Sequence, residues 1–181
     1  DKIEALASAG KIHVVEDAAH CLPSKIGDRW IGSSPDNLTL FSFYATKNIT
    51  TGEGGMMTGP VAALEDARRL ALHGMSRAAW DRFKKGGHWR YDVAEPGFKY
   101  NMTDSAAALG VAQLERLNEL FERRMQIVRL YDKTFAQSKF FKTLKIRPGV
   151  QSSHHLYLLL LNLDTLSIDR DRFFVEMGER N

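Results

Sequence analysis

The chain has 181 residues, 44% of them hydrophobic and 26% charged, a balance that reads as soluble and globular and excludes a disordered or fibrous chain. Its formal net charge of +3 is scattered over pairs such as Arg68-Arg69, Lys84-Lys85 and Arg123-Arg124, so no basic face and no nucleic-acid partner are expected. The single cysteine, Cys21, excludes an intrachain disulfide, the longest apolar run (Leu156 to Leu161) is strand-sized, and no membrane span or signal peptide is seen, which makes a cytoplasmic location the default expectation.

Lys2 to Ala9 reads as a helix already under way, and Asn181 sits at or just after another. Neither end reads as a natural terminus, so an internal fragment is expected. Ile12 to Asp17, preceded by Gly10, suits a buried parallel strand. Residues 18–37 have loop composition, with a short ribbon around Arg29-Trp30-Ile31. Leu38 to Tyr44 alternates as a strand, with Leu40, Ser42 and Tyr44 on one face and Phe41 and Phe43 on the other. A Gly-rich turn spans Lys47 to Gly55, a short strand follows at Met56 to Thr58, and Pro60 to His73 reads as a helix capped by Gly74. The stretch 75–101 is irregular and aromatic, carrying Trp80, Phe83, Trp89, Tyr91, Phe98 and Tyr100. One long helix is expected from Asp104 to Phe135, with Val111, Leu114, Leu117, Phe121, Met125, Val128 and Phe135 as a packing stripe. His155 to Leu163 reads as a strand and Asp169 to Glu179 as a helix.

Asp17 stands at the carboxyl end of its strand, where open α/β sheets place ligand chemistry. A carboxylate buried there calls for a cationic partner, such as the protonated nitrogen of a pyridine ring. Alone, Asp17 reads more simply as a cap or a loop-stabilising residue, and His20 as a structural loop histidine. Lys47 leaves a strand just before Thr50-Thr51-Gly52-Glu53-Gly54-Gly55. A partly desolvated lysine beside a cationic ring supplies the free amine that Schiff-base chemistry needs. Ser42, five residues earlier, can bind a phosphate. The glycines lack the Lys-Ser/Thr of a nucleotide-binding loop and read as a tight turn beside Lys47. Cys21 has no second Cys/His pair at ligand spacing. His154 and His155 open a strand and would point to opposite faces, so no metal site is expected.

Taken in order, these segments resemble the DegT-type sugar aminotransferases. The matching pieces are Glu16-Asp17-Ala18-Ala19-His20, then Phe41-Ser42-Phe43 through Lys47 to Gly55, then Pro96 to Asp104, then Gln113-Leu114 and the Arg123-Arg124 helix. The resemblance implies an α/β fold, part of a fold-type I pyridoxal 5'-phosphate (PLP) transferase with a mainly parallel sheet flanked by helices. It further implies that residues 1–103 form the later part of the large domain, 104–147 an interdomain helix and connector, and 148–181 the start of a small domain. Catalysis would fall to Lys47 and Asp17. Asp17 would pair with the pyridine nitrogen, His20 with the ring hydroxyl and Ser42 with the phosphate, while Lys47 would carry PLP and shuttle protons. Asn101 would reach the phosphate of a neighbouring subunit across a homodimer interface.

The Lys99-Tyr100-Asn101 variant resembles the branch acting on nucleotide-linked 4-keto sugars, including the lipid A (lipopolysaccharide) 4-amino-arabinose enzyme. Sugar 3-dehydratases of this fold carry histidine where this chain has Lys47, so the resemblance implies transamination with glutamate as amino donor. Other PLP chemistry on sugars, and a non-catalytic truncated module, are the rival readings. Pro35-Asp36-Asn37 departs from the family's Gly-Asp. The phosphate-binding turn and ring-stacking aromatic of the family's N-terminal half are absent from these 181 residues, so the chain alone is expected to be inactive.

Overall fold

The computed structural model describes residues 2–76, 85 and 91–180. The elements are α1 (Lys2–Gly10), β1 (Val15–Asp17), β2 (Lys25–Ile26), β3 (Arg29–Trp30), β4 (Leu38–Ser42), β5 (Gly55–Thr58), α2 (Val61–Leu70), α3 (Asp104–Glu115), α4 (Leu117–Phe135), β6 (Phe141–Thr143), β7 (Val150–Gln151), β8 (Leu159–Leu161) and α5 (Arg170–Gly178). Trp80, Phe83 and Trp89 of the aromatic stretch lie outside the described residues.

Strand β4 is the centre of a three-stranded sheet ordered β1-β4-β5. It pairs with β1 in parallel, Asp17 opposite Leu40, and with β5 antiparallel, Ser42 opposite Gly55. The chain turns back from β4 to β5 without a helix, and a crossover to a parallel strand needs one or its equivalent in length. The expectation of a mainly parallel sheet is therefore corrected. Among the described residues only β1–β4 is a parallel strand pairing, and β4–β5, β2–β3, β2–β7 and β6–β8 are antiparallel. Strand β1 is also shorter than expected, and Ile12 and Val15 are exposed because, among the described residues, β1 is paired on β4 alone.

A polar lattice fixes the other end of this sheet. The fully buried Thr39 donates its hydroxyl to Glu16 Oε2 at 2.7 Å, and Asn37 Nδ2 donates to Glu16 Oε1 at 3.2 Å and Glu4 Oε1 at 3.3 Å. Arg29 pairs with Glu4 at 2.6 Å. Helix α1, β1, the β2–β3 hairpin and β4 are thus tied by charge-assisted hydrogen bonds.

The long helix expected over 104–135 is two helices. Arg116, at φ −95° and ψ 4°, separates α3 from α4. Its N–H donates to Gln113 O at 3.1 Å in a three-residue turn, and the α pattern resumes when Leu120 N–H donates to Arg116 O at 3.0 Å. Val128 is buried and Leu117, Phe121, Met125 and Phe135 are half-buried, as the stripe predicts, but Val111 and Leu114 on α3 are exposed. Helix α4 packs through Tyr131 and Phe135 onto Tyr157 and Phe141, with ring centroids 5.1–6.4 Å apart, and Phe141 in turn meets Phe173 of α5 at 6.1 Å. Such edge-to-face clusters bury large rings at favourable quadrupole geometry. Asp169 caps α5, its Oδ1 accepting Arg172 N–H at 2.7 Å.

Candidate active site

The carboxyl ends of β1 and β4 lie side by side because the two strands are parallel neighbours. Asp17 ends β1. Its Oδ1 accepts Ala19 N–H at 3.0 Å, and Ala18 N–H continues the pairing onto Leu40 O at 2.8 Å. The side chain is exposed and its second oxygen has no partner among the described residues. The loop that follows turns His20 toward the end of β4.

Ser42 ends β4. Its Oγ accepts Tyr44 N–H at 3.3 Å, and its own hydroxyl proton remains available. A tight turn follows, in which Lys47 N–H donates to Tyr44 O at 3.0 Å, and this places Lys47 half-buried beside Ser42. The turn is locked from the far side. Thr51 N–H donates to Phe43 O at 2.9 Å, Phe43 N–H to Gly54 O at 2.8 Å, and Thr50 Oγ1 to Phe43 O at 3.0 Å. The glycines serve this turn. Gly52 sits at φ +82°, and a Cβ on Gly55 would lie 2.5 Å from Phe41 O, inside van der Waals contact.

Ala19, His20, Leu22, Ser42, Lys47, Asn48, Ile49 and His155 line one pocket at this place. Of the sequence-predicted residues, His20, Ser42 and Lys47 are brought together in it, with Asp17 two residues from its wall. Asn101 is elsewhere. It lines a cleft with Leu40, Phe41, Met56, Arg68, Tyr100 and Met102, and its Oδ1 accepts Lys99 Nζ.

Two pocket residues escaped the sequence reading. Asn48, next to Lys47, donates through Nδ2 to Leu22 O at 2.7 Å and Ser153 O at 3.1 Å, and its Oδ1 lies 3.2 Å from His155 Nδ1. The rings of His155 and His20 sit 4.2 Å apart at 44°. The strand expected from His155 is corrected: the ladder begins only at Leu159. His154 takes a left-handed φ of 45°, the Ser153 hydroxyl donates to His20 O, and Ser153 N–H donates to Ser24 Oγ at 3.0 Å. The segment is therefore wrapped onto the 20–24 loop instead of running as a strand. Alternation cannot reveal this, and the polar run Ser152-Ser153-His154-His155 is the only sequence signal. Burial, followed by the charges of His20, Lys47 and Arg124, pushes the His155 pKa below its ordinary value. Burial first, then Asp17 and Glu16, pushes the Cys21 thiol up.

The profile of the DegT/DnrJ/EryC1/StrS aminotransferase family matches residues 1–181. The chain belongs to this family. It is similar to the spore coat polysaccharide biosynthesis protein SpsC of Bacillus subtilis, at 42% identity over 99% of the chain and 46% of SpsC. Among solved structures it resembles the PLP form of the sugar aminotransferase Spr1654, described as putative, of Streptococcus pneumoniae, with TM-score 0.79 and 33% identity over 97% of the chain and 44% of that protein. It also resembles PseC of Helicobacter pylori, an aminotransferase of pseudoaminic acid biosynthesis, with TM-score 0.82 and 25% identity over 97% of the chain and 45% of PseC. The chain spans about half the length of the curated relatives it matches, 47% and 46% of two of them. The aminotransferases of this family are PLP-dependent and of fold type I, and Spr1654 has been solved in both PLP and PMP forms.

Proposed function

We propose that this chain is the lysine-bearing part of an enzyme that transfers an amino group to the keto carbon of a nucleotide-linked sugar, a 4-keto sugar of the lipid A type of branch, with glutamate as donor, in amino-sugar biosynthesis. The observation that carries this is the convergence of His20, Ser42 and Lys47 in one pocket beside the strand-end carboxylate of Asp17. The donor set fits PLP. An amine, and a hydroxyl proton and a carboxylate oxygen that have no partner among the described residues, answer the aldehyde, the phosphate and the ring nitrogen of that group.

When bound, PLP supplies an electron sink for the carbon that gives up its proton. The chain's own residues do the rest. Asp17 would hold a proton on the ring nitrogen through its second carboxylate oxygen, and His20 would orient the ring hydroxyl. Ser42 Oγ anchors the phosphate. Lys47 Nζ would hold the group and would move a proton at the carbon that gives up or takes the amine. Asn101 serves the phosphate of a second subunit in a homodimer. Residues 1–103, 104–147 and 148–181 act as large-domain, connector and small-domain segments of a cytoplasmic enzyme, and the 181 residues alone turn over no sugar.

The test is chemical. The full-length protein is incubated with PLP, reduced with borohydride and mapped by mass spectrometry, with Lys47→Ala as control. A pyridoxyl label on the Lys47 peptide that disappears in the variant is expected. A folded wild type without label at Lys47 would sink the proposal.

A further inference from the structure

His155 stands on the wall of the Lys47 pocket with no role assigned to it above. Its surroundings fix more than its position. Asn48 commits Nδ2 to two carbonyls, Leu22 O and Ser153 O. Only an amide N–H₂ can donate to carbonyls, so the atom facing His155 Nδ1 at 3.2 Å is the amide oxygen. An oxygen there accepts, so Nδ1 of His155 carries the hydrogen. In the neutral ring Nε2 is then the bare lone pair.

The backbone around the ring is fixed as well. Ser153 is buried, its hydroxyl donates to His20 O, and Arg124 Nη1 donates to His154 O at 3.3 Å. The ring itself lies 4.2 Å from His20, on the wall it shares with Lys47 and Ser42.

We infer that His155 is a positioning residue of the Lys47 site: held by Asn48 as the Nδ1–H tautomer, it sets the plane of His20 and keeps a neutral imidazole, not a cation, against the amine-bearing turn. This rests on the transamination reading for its consequence and on geometry alone for the tautomer. The groups facing the ring are His20, Lys47, Arg124 and Asn48, three of them able to carry positive charge. A second cation there would oppose a protonated Lys47 and would turn the His20 ring.

Two measurements test it. Long-range proton–nitrogen spectra of the ¹⁵N-histidine-labelled full-length protein, without cofactor, should give the Nδ1–H tautomer for His155 and a titration midpoint below its ordinary 6.5. An Nε2–H tautomer overturns the inference. In the cofactor-loaded enzyme, His155→Phe keeps a ring against His20 but loses the donor, and kcat should fall about tenfold with KM within about twofold. His155→Gln restores an amide donor and should recover most of that loss. Wild-type kcat in the Phe variant, with its fold verified by circular dichroism, overturns the inference. If the Phe variant does not fold, the spectra decide. Absence of a pyridoxyl label on wild-type Lys47 would remove the transamination reading while leaving the tautomer to be decided by the spectra.

Discussion

The side chain of Gln113 clasps the backbone of Thr50 with two hydrogen bonds: Thr50 N–H donates to Gln113 Oε1 at 3.1 Å, and Gln113 Nε2 donates to Thr50 O at 2.6 Å. A glutamine amide thus imitates a neighbouring β-strand for one residue. It fastens α3 to the turn that carries Lys47. Gln113→Ala would strip both partners from a half-buried peptide group, and about 1–3 kcal/mol of stability should go with them. Urea unfolding would measure this. Gln113→Glu should lose less than Ala at the N–H and more at the carbonyl, since a carboxylate accepts but cannot donate. A stability of Gln113→Ala equal to wild type would show that the clasp is incidental.

The glycines after Lys47 should differ in what they tolerate. At Gly52 an added Cβ meets nothing within 4 Å, so Gly52→Ala is charged only for its φ of +82°, about 1–2 kcal/mol. At Gly55 the Cβ meets the backbone oxygen of Phe41 at 2.5 Å, and backbone cannot move aside as a side-chain tip can. Gly55→Ala should be the more destabilising of the two and should separate β4 from β5 near Ser42. Thermal melts of both variants rank them, and the reverse order would contradict the packing argument.

Stability should fall in mild acid. The pKa values of His154 and His155 are both lowered, chiefly by burial. A histidine with a depressed folded pKa binds its proton more readily when unfolded. Its contribution is therefore fully present above the unfolded value of about 6.5 and is lost as pH falls toward the folded one. Urea midpoints at pH 7.5 and 5.5 should differ in that direction, and His155→Gln should shrink the difference. An unchanged midpoint in wild type would show that neither ring resists protonation.

Asp17 can be monitored through its neighbour. Burial comes first and the Asp17 carboxylate second in raising the Cys21 thiol pKa above its ordinary value of 9.0. Thiolate is the reactive form. Alkylation of Cys21 at pH 8 should be slow, and Asp17→Asn should accelerate it by removing a negative charge. An unaltered rate in the variant would mean that burial and Glu16, without Asp17, restrain the thiol.

The strand-end positions of Asp17 and Ser42 and the turn after β4 that holds Lys47 were legible from sequence, because a strand's carboxyl end and a Gly-rich turn leave local marks. Asp17, Ser42 and Lys47 could be placed from their own neighbourhoods. The long-range parts could not. Nothing in Glu115-Arg116-Leu117 marks a helix break: there is no glycine or proline, and the apolar spacing runs on through it. The single continuous helix was the natural reading. His155 was misplaced because period-two alternation says nothing about a left-handed residue just before it. The pairing of β7 with β2, Lys25 opposite Gln151, joins segments too short to announce themselves. Glu16, conspicuous only as the neighbour of Asp17, proved to be the hub of the lattice through Thr39 and Asn37.

Asn48 also sets an order of events in the life of the chain. Its bond to Ser153 O spans 105 residues, and its approach to His155 spans 107. Contacts so distant in sequence cannot form until the later partner exists. At ~5–20 residues per second, the ribosome needs about 5–20 s to reach Ser153 after making Asn48. Through that interval the partners of the Lys47 turn, Thr51, Gly54 and then Gln113, are made one after another, and this wall comes last. The pocket is finished by a segment made well after Lys47, so a small aldehyde in the cell meets Lys47 unshielded on that side before it meets a completed site.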